Sequence, residues 1–231
     1  MIDRRNFIQT CVSALVVVAL PSPSLALPLI DQSLTPTYKE VCASPQQIKL
    51  IGVGGGGGNA ARHMIDSGVL GIEYIVANTD TDALNRCGTD KTIQLHRKTL
   101  SATTKLGRCR ETAERAANDV RAAIEGAHML FITVGMGGGT GTEAAPVIAR
   151  IAKEMGIVTV AVVIMPFSWE GPRRMRYADI GLTELQAHVD TLIVLPNEKL
   201  LEDLGEDASM SDAFDYANEM TKEAVIRIAK I

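Results

Sequence analysis

Two glycine-rich segments, each lying between an apolar run and a helix-forming stretch, constrain the fold of this chain more than any other feature. The first is Gly54–Gly58, directly after the apolar run Ile48–Val53. The second is Gly135-Met-Gly-Gly-Gly-Thr-Gly-Thr142, directly after Met129–Val134. Glycine tolerates positive φ and lets the backbone approach a neighbour closely, so each segment predicts a tight strand-to-helix connection.

Strand and helix patterns also alternate on both sides of these segments. Val158–Met165 is almost wholly apolar and rich in valine, as expected for a strand that is covered on both faces. Further strands are predicted at Tyr74–Ala77, Thr92–Leu95 and Thr191–Leu195, and helices at Asn59–Ser67, Arg108–Glu125, Ala144–Met155 and Tyr177–His188. This alternation predicts an α/β fold with a doubly wound, Rossmann-like parallel sheet.

Composition narrows the classes of function. The 231 residues carry a net charge of −4, which gives no general attraction to nucleic acid, and only 4% are aromatic, so no single-strand-binding platform is expected. The four cysteines form no C-x-x-C pair, so no metal-ligating residues are predicted. Free thiols suit a reducing compartment, and we therefore expect a cytoplasmic protein.

The N-terminus points to a different compartment. Arg4-Arg5 precede the apolar run Cys11–Leu20, and Ser24-Leu25-Ala26 fits a cleavage site, so residues 1–26 are interpreted as a signal-like segment that resembles a twin-arginine export motif. The run has about half of the roughly 20 residues that a spanning helix needs, so no stable membrane span is predicted. A misassigned start codon is the alternative interpretation, and the cytoplasmic location stays open on this point.

The glycine-rich segments also predict a class of ligand. In a doubly wound sheet, ligands bind beyond the carboxyl ends of the strands, where helix N-termini offer unpaired N–H groups to anions. Two converging N-termini favour a polyphosphate. A dinucleotide fingerprint is a rival interpretation, with Asp80 near the spacing of its acidic residue. A Walker P-loop is disfavoured because no Gly-Lys-Ser/Thr sequence follows either segment.

Five motifs, in order along the chain, resemble the successive nucleotide loops of the bacterial tubulin-like cell-division GTPase family, FtsZ. They are Gly54-Gly-Gly-Gly-Gly-Asn-Ala60, Ala77-Asn-Thr-Asp80, Gly135-Met-Gly-Gly-Gly-Thr-Gly-Thr142, Pro166-Phe-Ser-Trp-Glu-Gly171 and Leu195-Pro-Asn197. The third of them is the tubulin-type signature. The resemblance runs from Ile48 to about Ile231 and implies a domain that binds GTP or GDP, with Mg²⁺ as a further candidate cofactor.

The resemblance implies which residues contact the phosphates. The α- and β-phosphate contacts fall to the first glycine segment and the residue after it, namely Gly55, Gly56, Gly57, Gly58 and Asn59. The β/γ end falls to the second segment, namely Gly139, Thr140 and Gly141. Both sets would act through backbone N–H groups and a hydroxyl, without a lysine.

The resemblance also implies contacts to the sugar and the base. Glu170 and Arg174 match positions near the ribose and base, with a surface ion pair as the alternative. Asn197 and Asn218 match guanine-reading positions, where side-chain oxygens accept hydrogen bonds from the N–H groups of guanine. Phe214 would stack on the base or, as its helical spacing equally allows, pack in the core.

Two departures from the family pattern bear on the phosphate end. The family has a glycine-rich third loop over the γ-phosphate, whereas His96–Leu106 has no glycine. Its Arg97, Lys98 and Lys105 could replace backbone amides by charge, or the loop stays solvated and never closes. Glu143 stands where the family has the last glycine of the signature, and a carboxylate near phosphates is expected to weaken binding unless Mg²⁺ lies between.

Domain boundaries follow from these assignments. Residues 27–47, with three prolines, are predicted to be a linker, and residues 48–231 a GTP-binding domain that ends in a helix starting near Ser211. The family continues from this helix to an acidic loop, which activates water on the GTP of the next subunit, and to a second domain. Because the sequence ends at Ile231, we expect a chain that lacks the second domain and has no catalytic residue of its own.

The expected function is GTP binding, with an open alternative. The resemblance implies association with full-length FtsZ, or head-to-tail self-association, in which the acidic loop of a full-length subunit would complete hydrolysis. It leaves open whether the chain is an enzyme. The alternative is a non-enzymatic, decayed paralogue or gene fragment that acts, if at all, through protein contacts. A Rossmann-type NAD protein is disfavoured by the Thr-Gly-Thr signature.

Overall fold

The computed structural model describes residues 16–19, 47–95, 108–195, 197, 204 and 209–230. Among these residues one sheet is formed by β1 (Val16–Ala19), β2 (Ile48–Val53), β3 (Ile72–Asn78), β4 (Thr92–Gln94), β5 (Met129–Gly135), β6 (Val158–Ile164) and β7 (Thr191–Leu195). Their spatial order is β1-β7-β6-β5-β2-β3-β4, and all pairs except β1 with β7 are parallel. The predicted α/β fold with a doubly wound parallel sheet is confirmed.

Helices cover both faces of this sheet. They are α1 (Gly54–Asp66), α2 (Thr81–Asn85), α3 (Arg108–Arg115), α4 (Ala117–Ile124), α5 (Gly139–Glu154), α6 (Pro172–Gln186) and α7 (Met210–Ala229). One hydrophobic core joins the sheet to α1, α2 and α7, and a second joins its other face to α3, α4, α5 and α6. Side chains alternate between the cores along each strand, so Leu50 of β2 lies in the first and Ile51 in the second.

The first glycine-rich segment lies wholly within a helix, and the second passes through a turn into the first turn of a helix. α1 begins at Gly54 rather than at the predicted Asn59, and α5 begins at Gly139 rather than at Ala144. The glycines can continue the helix because they permit close packing of its first turn on the sheet. The N–H groups that a helix leaves unpaired at its N-terminus are therefore those of the glycine segments themselves.

Two other helices differ from their predicted bounds. α6 begins at Pro172 rather than at Tyr177, because the fixed φ of proline suits the first position of a helix, where its missing N–H is not needed. The predicted helix Arg108–Glu125 is broken into α3 and α4 at Ala116, whose ψ of 8° is not helical.

β1 lies inside the segment that is predicted to be signal-like. It pairs antiparallel with β7, with Val16 opposite Val194. The remaining residues of 1–26, and residues 27–46 of the predicted linker, lie outside the described residues. None of the described helices is long and apolar enough to cross a bilayer.

The connectivity of the sheet positions the site. From β2 the chain proceeds to β3 and β4 on one side, whereas β5, β6 and β7 are added on the other side. β2 and β5 are hydrogen-bonded neighbours, with Ile48 opposite Met129. The order of the strands reverses between them, and ligands of doubly wound sheets bind at such a switch point. The glycine segments begin the helices that follow these two strands, so both meet there.

Candidate functional site

The first glycine segment packs directly on β5. A methyl group added at Gly57 would lie 2.1 Å from the carbonyl oxygen of Thr133, so no larger residue fits without displacing the backbone. Thr133 donates a hydrogen bond from Oγ1 to the carbonyl oxygen of Gly57 at 3.3 Å. Gly54 has a φ of +70°, which L side chains rarely adopt. These constraints fix the N-terminus of α1 over the carboxyl end of the sheet.

The second glycine segment forms a turn beside it. Gly137 has a φ of +88°, and a methyl group there would lie 2.7 Å from Cγ of Pro166. The backbone N–H of Gly137 donates to Oγ1 of Thr142 at 2.9 Å, which holds the turn against the start of α5. The hydroxyl groups of Thr140 and Thr79 are hydrogen-bonded at 2.9 Å, which joins this turn to the residue after β3.

A solvent-open cleft of about 400 Å³ lies where the two helix N-termini meet. Most of the residues that are predicted to contact GTP line it, namely Gly55, Gly56, Asn59, Gly139, Thr140, Gly141, Glu170, Arg174, Asn197, Phe214 and Asn218. Gly57 and Gly58 do not line it. Gly57 is packed against Thr133, and Gly58 borders a smaller neighbouring cleft. Contact of these residues with a nucleotide stays a prediction.

Asn197 supplies an unpaired acceptor at this cleft. Its Nδ2 donates a hydrogen bond to the carbonyl oxygen of Met165, which fixes the orientation of the amide. Its Oδ1 is buried and has no hydrogen-bond partner among the residues that the structure describes. A buried acceptor without a partner is unfavourable, so a ligand that offers an N–H donor here would be stabilised.

Three aromatic rings stand beside the cleft. Phe167 is fully buried, whereas Trp169 and Phe214 are 45% and 44% exposed. The ring of Phe167 stacks on Trp169, with centroids 4.1 Å apart, and meets Phe214 edge-on at 5.3 Å. The core-packing interpretation of Phe214 is therefore wrong: its helical neighbours Ala217 and Val225 lie in the core, but its own ring borders the cleft.

Glu170 and Arg174 form the ion pair that the sequence allows. Arg174 Nη1 lies 2.6 Å from Oε2 of Glu170. The other carboxylate oxygen accepts a hydrogen bond from the backbone N–H of Phe167 at 2.9 Å. The Glu170 carboxylate is largely buried and the Arg174 side chain is half exposed. The pair is thus part of the wall of the cleft, and its location is compatible with a contact to a sugar.

A polar contact joins α1 to α7. His63 Nε2 lies 2.9 Å from Oε2 of Glu219, and Nζ of Lys222 lies 2.7 Å from the same oxygen. Burial acts to raise the pKa of Glu219, but hydrogen bonds from Lys222 and His63 outweigh it and hold the pKa below the usual value. The ionised carboxylate of Glu219 therefore joins α7, at the residue next to Asn218, to α1.

Glu143 does not point to the cleft. Its carboxylate is buried and accepts hydrogen bonds from the backbone N–H groups of Cys109 and Arg110, at 2.8 and 3.1 Å, and from the hydroxyl of Tyr177. Burial and the hydrogen bond to Glu143 raise the pKa of Tyr177 above its usual value. The expected clash of this carboxylate with phosphates is therefore wrong, because the side chain is used to cap α3.

Sequence reasoning missed several residues of the cleft wall. Met136, Ile164, Met165 and Ala217 line it, although none has a polar side chain that would mark it. Their positions directly after β5, at the end of β6 and three residues beyond Phe214 are the signals that could have found them. The Thr79–Thr140 hydrogen bond was also not expected, because a contact between two turns has no pattern in the sequence.

Two predicted features cannot be placed. The glycine-free segment His96–Leu106, with Arg97, Lys98 and Lys105, lies outside the described residues. Within the part of the chain that the structure describes, no group of three or more His, Cys, Asp or Glu side chains is arranged to hold a metal ion. Mg²⁺ stays a prediction.

Comparison with known proteins places this cleft in a family. Residues 47–205 match the Tubulin/FtsZ family, GTPase domain. The chain is 49% identical over 187 residues to the cell division protein FtsZ of Buchnera aphidicola subsp. Schizaphis graminum, covering 80% of this chain and 49% of the relative. It is 50% identical over 187 residues to the FtsZ of Pseudomonas putida, covering 80% and 47%.

A solved structure has the same fold. The structure titled as an empty FtsZ dimer from M. jannaschii matches with a TM-score of 0.75 and 38% identity, over 83% of this chain and 57% of that one. The chain spans about half the length of the curated relatives that it matches. The matched region contains both glycine segments and the residues of the cleft up to Asn197, and on this evidence the chain belongs to the Tubulin/FtsZ family, as a homologue of its GTPase domain.

Proposed function

We propose that this chain binds GTP in the cleft between the N-termini of α1 and α5. The observation that carries the proposal is the buried, unpaired Oδ1 of Asn197, in the same cleft as two glycine-built helix N-termini. The helix N-termini suit a chain of phosphates, and the unpaired acceptor suits the N1–H or N2–H of guanine. Adenine offers no ring N–H at the equivalent position, so GTP fits better than ATP.

Each end of the nucleotide would have its own contacts. The phosphates would be held by backbone N–H groups of Gly55, Gly56 and Gly139–Gly141, and by the hydroxyl of Thr140, with Mg²⁺ offsetting the remaining charge. The ribose hydroxyls would donate to the Glu170 carboxylate, and Phe214 would stack on the base. Asn218 would be the second side chain to read guanine.

Equilibrium titration of the full chain with GTP, ATP and inorganic triphosphate tests this proposal. We expect GTP to bind more tightly than ATP. Asn197→Ala should weaken GTP binding about tenfold, since it removes a hydrogen bond in a buried site, and should leave triphosphate binding unchanged. Asn85→Ala, at an exposed position at the end of α2, is the matched control. Absence of saturable GTP binding would contradict the proposal and favour the non-enzymatic alternative.

Assembly and hydrolysis are further proposals that rest on the family. We propose that the nucleotide face of this chain associates with a full-length FtsZ subunit, or head to tail with a second copy, and that GTP turnover depends on that association. The similarity to a protein solved as an FtsZ dimer favours it. GTP turnover should be measured for the chain, for a full-length FtsZ and for their mixture. Turnover in the mixture equal to the sum of the separate rates would contradict it. The cytoplasmic location stays a prediction.

A further inference from the structure

We propose that Phe167 is a positioning residue for the base and the ribose, and that it links Trp169, the single tryptophan of the chain, to occupancy of the base site. This inference rests on the proposed GTP binding. Phe167 is buried and does not line the cleft, but it would fix Phe214 and Glu170, the two side chains that would hold the nucleoside.

The burial of Phe167 is the first observation. The residue lies between β6 and α6, outside any helix or strand, and directly precedes a short 3-10 helix, Ser168–Glu170. A connecting segment of this kind normally stays at the surface. The ring of Phe167 is nevertheless fully buried, while both of its aromatic partners are almost half exposed. The buried ring is therefore the fixed member of the cluster, against which the two exposed rings rest.

The contact with Phe214 is the second observation. Phe214 comes from α7, in a different part of the chain, and meets the Phe167 ring at 90° with centroids 5.3 Å apart. Edge-to-face contacts of this geometry stabilise an aromatic pair beyond the area that it buries. An exposed phenylalanine without such a partner would sample several rotamers, and ordering it on binding would reduce affinity. Phe167 thus holds Phe214 ready to receive a base.

The backbone of Phe167 acts on the ribose side. Its N–H donates to Oε1 of Glu170 at 2.9 Å, and its carbonyl oxygen accepts from the N–H of Glu170 at 3.0 Å. The same carboxylate pairs with Arg174 through its other oxygen. One residue therefore fixes the base-stacking ring through its side chain and the sugar-side carboxylate through its main chain.

Trp169 makes this arrangement observable. Its ring stacks on Phe167, the same ring that contacts Phe214, and the planes of Trp169 and Phe167 are 8° apart. Trp169 is not among the residues that line the cleft, so a nucleotide would not touch it there. A base that stacks on Phe214 would affect Trp169 through the ring of Phe167, which contacts both. Inorganic triphosphate, which would occupy the phosphate end alone, would leave the tryptophan unaffected.

Phe167→Leu is the variant that tests the proposal, with Phe131→Leu as its matched control. Phe131 is equally buried but lies in the middle of β5, so both variants lose a buried ring and only one touches the cluster. We expect Phe167→Leu to weaken GTP binding about tenfold while triphosphate binding changes less than about twofold. Phe131→Leu should bind both as the parent chain does.

Fluorescence of the unmodified chain gives a second test that needs no variant. Titration with GTP should change the emission of Trp169, and titration with inorganic triphosphate should not. Unchanged GTP affinity in Phe167→Leu, or equal responses of Trp169 to the two ligands, would overturn the role of Phe167 while GTP binding stands. Failure of the parent chain to bind GTP would instead overturn the proposed function, and this inference with it.

Discussion

Glu143 stands where the family has a glycine, and its side chain stabilises the start of α3 instead of facing the cleft. One of its oxygens accepts from two backbone N–H groups at the start of α3, and the other accepts from Tyr177. Glutamine at this position would turn an NH₂ group toward donors on one side or the other. We expect Glu143→Gln to lower the free energy of unfolding by about 2 kcal/mol, because a buried hydrogen bond to a charged group is lost. Urea unfolding measures this change.

A matched carboxylate provides the control for that prediction. Glu111 forms an exposed ion pair with Arg115, and such pairs contribute little, so Glu111→Gln should change stability by less than about 0.5 kcal/mol. Equal effects of the two substitutions would contradict the capping role of Glu143. A double-mutant cycle with Tyr177→Phe would show the coupling directly, since the two side chains share one hydrogen bond.

Site residues that stand in a short motif could be predicted from the sequence. Contacts between residues that are far apart along the chain could not. Asn197 and Glu170 were identified because they stand in short motifs that resemble known loops. The partners of Glu143 lie more than 30 positions away, and no periodicity in the sequence signals the contact. Helical spacing placed Phe214 on the buried face of its helix, but it could not show that the cleft opens at this point along α7.

At the scale of elements, the five glycines of α1 differ in how closely they pack against neighbouring backbone, which the sequence does not show. Gly57 meets the backbone of Thr133, whereas a methyl group at Gly55 would touch nothing within 4 Å. Gly57→Ala should therefore lower the free energy of unfolding by about 3 kcal/mol, because α1 must move away from β5. Gly55→Ala, with the same chemical change two residues earlier, should stay within about 0.5 kcal/mol.

Thermal or urea unfolding of the two glycine variants, measured under the same conditions, tests this difference in stability. Tolerance of alanine at both positions would mean that α1 does not depend on its close approach to β5. Most helices and strands of the domain were predicted from apolar periodicity, but the five-residue α2 was not, and α3 and α4 were predicted as one helix. The starts of α1, α5 and α6 were not, because a glycine or proline at a helix N-terminus has the same pattern as one in a loop.

At the scale of the whole molecule, two partly buried tyrosines predict a loss of stability in alkali. Burial raises the pKa of Tyr74 to about 12, from a usual value of 10.0, and its hydroxyl donates to the carbonyl oxygen of Val69. The unfolded chain loses this proton first as the pH rises. The contribution of Tyr74 to stability is thus fully present below pH 10.0 and is lost as the pH approaches 12.

Urea unfolding at pH 9 and at pH 11.5 would measure this effect. The parent chain should lose stability between the two values, and Tyr74→Phe should lose less, because phenylalanine has no proton to release. Tyr177 contributes in the same direction in both proteins, since its pKa is also raised. An identical loss in the parent and the variant would show that Tyr74 does not contribute.

The architecture of the sheet was predictable, but its β1 edge was not. Strand–helix alternation and right-handed crossovers leave few arrangements other than a doubly wound sheet, and the switch point follows from them. β1 lies in a run whose charged start and apolar middle indicate a signal, and the same run also satisfies the requirements of a strand. Local sequence does not distinguish these two uses.

The pairing of β1 with β7 has a consequence for the time course of synthesis. The two strands lie roughly 180 residues apart along the chain, with Val16 opposite Val194. At about 5–20 residues per second, a ribosome needs on the order of 10 to 35 s to make the partner after β1 has been made. For that interval the valine-rich segment is an unpaired apolar strand, accessible to any receptor for nascent apolar peptides. Whether the β1 segment pairs with β7 or is bound by such a receptor would then depend on the rate of elongation relative to the rate of receptor binding.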